Sequence, residues 1–312
     1  MSFLSAETHH LAQGDGVRLV NLTPTSIKFG EREMAEITAA AVKAFRERTG
    51  LPLMDCKKAL QEAGGDQEAA VEVLRKRGQQ LLDKRSDRET AFGRFGLHMG
   101  TDKPVGAMVE LLCESSPVTT NEDFVQLADD LATALAENDV ATSEELLALE
   151  SPSKSGTTLA QQKDDLFNRI REVFNVGRFV RVANTCGGYM HHAGTTAGVL
   201  LEIEGGNDDA AKDVSMHVAA MKPAALDKDS IDQELVAKER EILKEAALAE
   251  GKPENIVEKM VEGRMKNFYA ERALLEQAFV KDDKQSVGEY AKSHNMGVKN
   301  YWHWIIGEKQ DS

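Results

Sequence analysis

The chain has 312 residues, long enough for two or three domains with a buried core, and its 52 acidic against 38 basic side chains leave a formal net charge of −14. That balance disfavours nucleic acid or an anionic membrane surface as the main ligand, because both are held by clustered Lys and Arg. Three dispersed cysteines, Cys56, Cys113 and Cys186, read as reduced thiols rather than a disulfide framework, and with no signal-peptide layout and no membrane-length apolar run the expected location is cytoplasmic.

Residues 1–33 show no sustained period and read as an extension without fixed structure; Met34 opens so sharp a change of texture that it is a candidate true start. Residues 34–80 predict three short helices. The first places Ile37, Ala41, Val42 and Phe45 on one face and stops at Gly50. The second runs from about Pro52 to Ala63, and the third has Asp66 as its N-cap, buries Ala70, Val71 and Leu74, and closes before Gly78. A linker, 81–91, follows.

Residues 92–176 switch to strand texture, with FGRFGLHMG and VGAMVELLC around a turn at Thr101–Pro104, then an Ala-rich helix, then a loop at 151–157 inside a helical stretch that resumes through Arg171. An internal echo follows at 177–230. His98-x-Gly100 recurs as His192-x-Gly194, Gly106 and Glu110 as Gly198 and Glu202, and an Ala-rich helix again comes next. Two ββα units predict an α+β fold with a duplicated core, the second subdomain being completed by 272–305. Between them, 231–271 forms two helical runs joined by Gly251-Lys252-Pro253, with Ile231, Leu235, Ile242, Ile256, Met260, Met265 and Phe268 as the apolar positions of a protruding antiparallel coiled-coil arm. Residues 306–312 are a tail.

The chemistry-bearing residues do not assemble into an enzyme signature. His98, His191, His192 and His217 lack metal-ligand spacing, no cysteine sits in a nucleophile motif, and no phosphate-cradling glycine loop is present. No cofactor or metal is expected, and the reading turns to protein binding.

Three stretches carry a resemblance. ITAAAVKAFRERTGLPLMDCKKALQEAGGDQEAAVEVLRKRG resembles the N-terminal UBA-like domain of bacterial elongation factor Ts; SMHVAAMKP, which contains His217, and GKPENIVEKMVEGRMKNFYAERALLEQAFVKDD are similar to two further hallmarks of that family. The likeness covers about 34–305. It implies a nucleotide exchange factor, not an enzyme, that binds elongation factor Tu and stabilises its nucleotide-free state so that GDP leaves and GTP rebinds. Carried over by residue, Arg46, Leu53 and Met54 would contact the partner's GTPase domain. Family members commonly read Cys-x-Thr-Asp-Phe-Val near the partner's Mg²⁺ site, whereas this chain has Ser115, Ser116, Pro117 and Val118 after Cys113-Glu114. That departure raises the alternative of a binding-only paralogue without strong exchange. The resemblance leaves open a homodimer within a heterotetramer and implies no direct nucleic-acid or membrane partner.

Overall fold

The computed structural model describes residues 37–191, 196–251 and 253–308, so expectations that fall on 1–33, Met34, His192, Gly194 and the end of the tail lie outside it. In chain order the elements are α1 (Ala39–Thr49), α2 (Leu53–Glu62), α3 (Gln67–Asp83), β1 (Phe92–His98), β2 (Gly106–Cys113), a 3-10 turn (Ser116–Thr120), α4 (Glu122–Glu137), α5 (Ser143–Ala148), β3 (Glu150–Ser151), β4 (Lys154–Thr158), α6 (Leu159–Ile170), β5 (Asn175–Val182), β6 (Cys186–His191), β7 (Ala197–Gly205), α7 (Asp208–Met221), α8 (Gln233–Ala249), α9 (Glu254–Arg272), β8 (Ala278–Phe279), β9 (Asp282–Ser286), α10 (Val287–Ser293) and β10 (Met296–Ile305). The fold is α+β. None of the helices is long and apolar enough to cross a membrane, among the described residues.

Local chemistry fixes the first three helices. Thr38 accepts the Ala41 N–H to start α1, and Gly50, at φ 69°, ends it by donating to the Arg46 carbonyl. Asp66 accepts from Glu68 and Ala69 at the head of α3. Val42, Phe45, Leu51, Cys56, Ala59, Leu60, Ala70 and Leu74 form their shared core. The predicted stop before Gly78 is corrected: α3 runs on to Asp83. Gly78 is a contact residue, not a cap, because a Cβ there would stand 2.0 Å from Oδ1 of Asn168 on α6. Beyond it Leu81 and Leu82 pack on the core of the next layer, so the first residues of the expected 81–91 linker are the last turn of this helix.

Two three-stranded antiparallel sheets follow, ordered β1-β2-β5 and β6-β7-β10. Side chains alternate across each strand. From β2, Ala107, Val109, Leu111 and Cys113 face a core under α4, while Met108 faces the second sheet with Phe95, Val182, Cys186 and Leu200. Val199, Leu201 and Ile203 of β7 turn the other way, onto α7. The layers are therefore helix, sheet, sheet, helix, and each sheet is covered on both faces, which is why β2 and β7 read as nearly continuous apolar runs. Close approach is bought with missing side chains: a Cβ at Gly96 would lie 1.8 Å from the Ala128 carbonyl oxygen of α4, and one at Gly198 would lie 2.6 Å from the Phe95 ring. Arg178 clamps the sheets. It forks onto the buried Glu110 at 2.8 and 3.0 Å, donates to the Ile305 carbonyl and lies over the Trp304 ring.

The expected loop at 151–157 is corrected to the hairpin β3–β4. Asp130 on α4 holds it: this buried carboxylate accepts from Ser151 Oγ, Ser153 Oγ, Gln126 Nε2 and Gln162 Nε2. A second hairpin, β8–β9, sits at the matching place before α10. Glu150 faces Thr158 and Ser151 faces Lys154, as Ala278 faces Ser286 and Phe279 faces Asp282. Leu159 N–H donates to the Leu149 carbonyl, and Val287 N–H to that of Gln277.

Helices α8 and α9 pack together around Val236, Ala247, Val257, Val261, Met265 and Phe268, with Leu243 and Met260 partly buried. The apolar seam expected from spacing is thereby corrected at three positions. Leu235, Ile242 and Ile256 face outward, because the seam falls one residue later, at Val236 and Leu243 on α8 and at Val257 on α9.

Candidate partner-docking site

The turn between α1 and α2 places Leu53 and Met54 on the first turn of α2, directly after Pro52 at the N-cap. Leu51, two residues earlier, enters the bundle core at 7% exposure, whereas Leu53 and Met54 remain 48% and 58% exposed. Arg46 is exposed one turn before the Gly50 cap, on the same end of the bundle.

The 115–118 segment is a tightly tied turn. Ser115 donates its N–H (3.0 Å) and its hydroxyl (2.5 Å) to the two carboxylate oxygens of Glu172. The buried Arg94 donates to the Thr119 carbonyl, and the Thr119 and Thr120 hydroxyls donate to the carbonyls of Ser116 and Pro117. Ser116 and Pro117 are exposed at its crest; Val118 turns inward, 8% exposed, into the core with Phe124. Glu114 accepts from the Val173 N–H and from Arg88. Burial opposes its charge, but those two donors outweigh it and hold the carboxyl below its ordinary range. Burial, reinforced by Glu172, pushes the Cys113 thiol up to about 12, so it is inert at neutral pH.

His217 belongs to neither surface. It is fully buried on α7, where the Val280 N–H donates to Nδ1. Nε2 therefore carries the proton and donates to Oε1 of Gln277, whose own amide donates to the Glu271 carbonyl. Burial lowers its pKa against the opposing Gln277 bond. It is a neutral bracket between α7 and the chain on either side of β8.

Two groups of expected site residues are thus apart in sequence, yet one short segment links them. Arg171 ends α6 at φ 67°, one of three non-glycine residues with positive φ among those described, with Lys222 and Asn295. Its guanidinium reaches Asp55 Oδ2 at 2.6 Å, on α2 next to Met54. Its carbonyl accepts from Arg85, and the next residue, Glu172, holds Ser115. The left-handed conformation costs an ordinary L-residue about 1–2 kcal/mol. Sequence reading missed Asp55, Arg171 and Glu172; the available signal was an arginine at a helix end where glycine is the usual residue.

Comparison with known proteins decides the family. A family model described as elongation factor TS matches residues 116–308. Elongation factor Ts of Methylococcus capsulatus is 44% identical over 275 residues, spanning 87% of this chain and 92% of that protein. Those of an Azoarcus species (44% over 277 residues, 88% and 92%) and of Alkalilimnicola ehrlichii (41% over 278 residues, 88% and 94%) are similar.

The chain belongs to the elongation factor Ts family.

Within elongation factor Ts, this chain is a translation elongation factor whose family match begins at the Ser116 crest and runs through the arm. No group of three or more His, Cys, Asp or Glu side chains is placed to hold a metal ion, among the described residues.

Proposed function

We propose that the chain binds elongation factor Tu in its GDP form and promotes GDP release by stabilising the nucleotide-free partner, with no covalent chemistry of its own. The observation that carries this reading is the exposed pair Leu53 and Met54: the bundle buries its other large apolar side chains wholly or in part and leaves these two in solvent on its tip. An apolar knob of this kind is stabilised by a partner's groove. The bundle is read as the UBA-like docking domain with Arg46 at its edge, the two sheet-and-helix units as a duplicated core, and α8–α9 as a coiled-coil arm inserted in the second unit. Ser116 and Pro117 form the crest turned towards the partner's Mg²⁺ side, with Ser115 and Val118 as its supports.

The thermodynamics are those of linkage. A protein that binds the empty GTPase more tightly than the loaded one weakens nucleotide binding by the same factor. Incoming GTP reverses the exchange by the same coupling. Release of a fluorescent GDP from the cognate elongation factor Tu tests this. Acceleration that saturates with added factor is expected. Tight binding with an unchanged release rate would replace exchange by binding alone, and no binding would overturn the reading.

A further inference from the structure

We propose that Arg171 is a positioning residue, a strut that locks the bundle tip and the 115–118 turn into one geometry so that a partner meets both as a single rigid surface. This rests on the exchange function proposed above.

Three consecutive residues make the connection. Arg171 Nη2 donates to Asp55 of α2, the residue after Met54. Glu172 accepts twice from Ser115, and the Val173 N–H donates to Glu114, which Arg88 holds from the other side. Arg85, just past α3, fixes the strut's backbone by donating to the Arg171 carbonyl. A path of direct bonds therefore runs from Asp55, beside the exposed Leu53–Met54 knob, to Ser115, beside the exposed Ser116–Pro117 crest.

Elsewhere the junction is made by packing, which leaves the directional contacts to this path. The lower half of α3 is anchored by Leu81, Leu82 and the Gly78–Asn168 contact. The α1–α2 end is held more lightly: the Arg169 side chain of α6 lies against Gly50, and open clefts of about 340 Å³ and 320 Å³, lined by Leu51, Leu74 and Asn168, flank that contact. Among the described residues, the Arg171–Asp55 pair is the one side-chain hydrogen bond or ion pair that joins α1–α3 to the core. Its two side chains are 28% and 38% exposed, so it contributes little to global stability. Its strained backbone is explained by orientation instead, since an observed outlier in φ points to a local demand that a glycine would not meet. Two contacts on one rigid body bind as one event; on a loose hinge the second has to be ordered after the first.

Arg171→Gly relieves the backbone and removes the side chain, and Asp55→Asn weakens the pair while leaving α6 untouched. Arg171→Lys keeps the charge. Spin labels at Lys58→Cys on α2 and Glu122→Cys on α4 report the angle directly, with no partner present. A single narrow distance distribution is expected for the parent and for Arg171→Lys, and a broadened one for Arg171→Gly and Asp55→Asn, with melting temperatures unchanged or raised. With elongation factor Tu, the two broadened variants should lose about tenfold in GDP release at limiting factor, the scale of a lost effective concentration, and recover most of it at saturation. An unchanged distance distribution overturns the strut. Broadening with parental release at every concentration overturns its role in exchange. A parent chain that fails to release GDP sinks the functional reading instead, and the label distances still decide the geometry.

Discussion

Truncating the exposed knob separates docking from folding. Leu53 and Met54 are 48% and 58% exposed, so roughly half of each side chain is available for burial by a partner. Complete burial of such a side chain is worth about 1.5–3 kcal/mol, so the exposed halves are worth about 1 kcal/mol each, and less the Cβ that alanine keeps, the pair is worth about 1.5–2 kcal/mol. That corresponds to a loss of about ten- to thirtyfold in affinity for Leu53→Ala/Met54→Ala. The bundle itself should lose little, because about half of each side chain touches solvent and alanine is at least as good a helix former as leucine or methionine. Calorimetric titration against elongation factor Tu–GDP gives the affinity and a thermal melt gives the stability. An affinity within twofold of the parent refutes the docking assignment. A large fall in melting temperature with intact affinity would show instead that these side chains belong to the core.

Further outcomes follow from the interior. Asp130→Ala strands four side-chain donors on α4, α6 and the β3–β4 hairpin, and should cost about 3 kcal/mol in chemical denaturation, as expected for bonds to a charged acceptor; a loss below about 1 kcal/mol would contradict the hairpin's dependence on it. Gly96→Ala drives a methyl into the α4 backbone and should destabilise by about 2 kcal/mol or more. Gly263→Ala, on the exposed side of α9 with nothing within 4 Å, should stabilise by up to about 1 kcal/mol; equal effects from the two would refute the close-packing reading. Burial lowers His217, and also His98 and His303, below the ordinary 6.5, so the unfolded chain takes up protons first and stability should fall as pH drops through 6.5 towards the lowered folded values. His217→Gln should flatten that slope in melts between pH 5 and pH 8, and an unaltered slope would exclude His217 from it.

Legibility followed the range of the forces. Helices α1 and α2 were readable because Gly50, Pro52 and Gly64-Gly65 punctuate them locally, and β1–β2 and β6–β7 because each hairpin pairs neighbours in sequence. The third strand of each sheet has no such local signal. β5 and β10 pair with β2 and β7 across long intervals, and β10 carries a register shift near Val298 that blurs its alternation. SPSKSGT has no apolar period at all; a carboxylate far away on α4 makes it a hairpin. Gly78 read as a stop because glycine often is one, and only the neighbouring Asn168 shows that it marks a contact. At the candidate site the knob was legible through family resemblance, but the strut was not, since Asp55 and Arg171 meet only in the folded chain.

The base of the α8–α9 arm has a consequence of another kind. The Ala224 N–H donates to the Arg272 carbonyl and the Leu274 N–H to that of Ala225, so the strands entering and leaving the arm are already stitched side by side. Where the second unit carries this long excursion before its β8–β9 hairpin, the first carries only the short α5 before β3–β4. The arm is thus a graft on a closed stem. Closure entropy rises only slowly with loop length, so such a stem tolerates a hairpin of very different size, or a foreign domain, without disturbing the sheets beneath it.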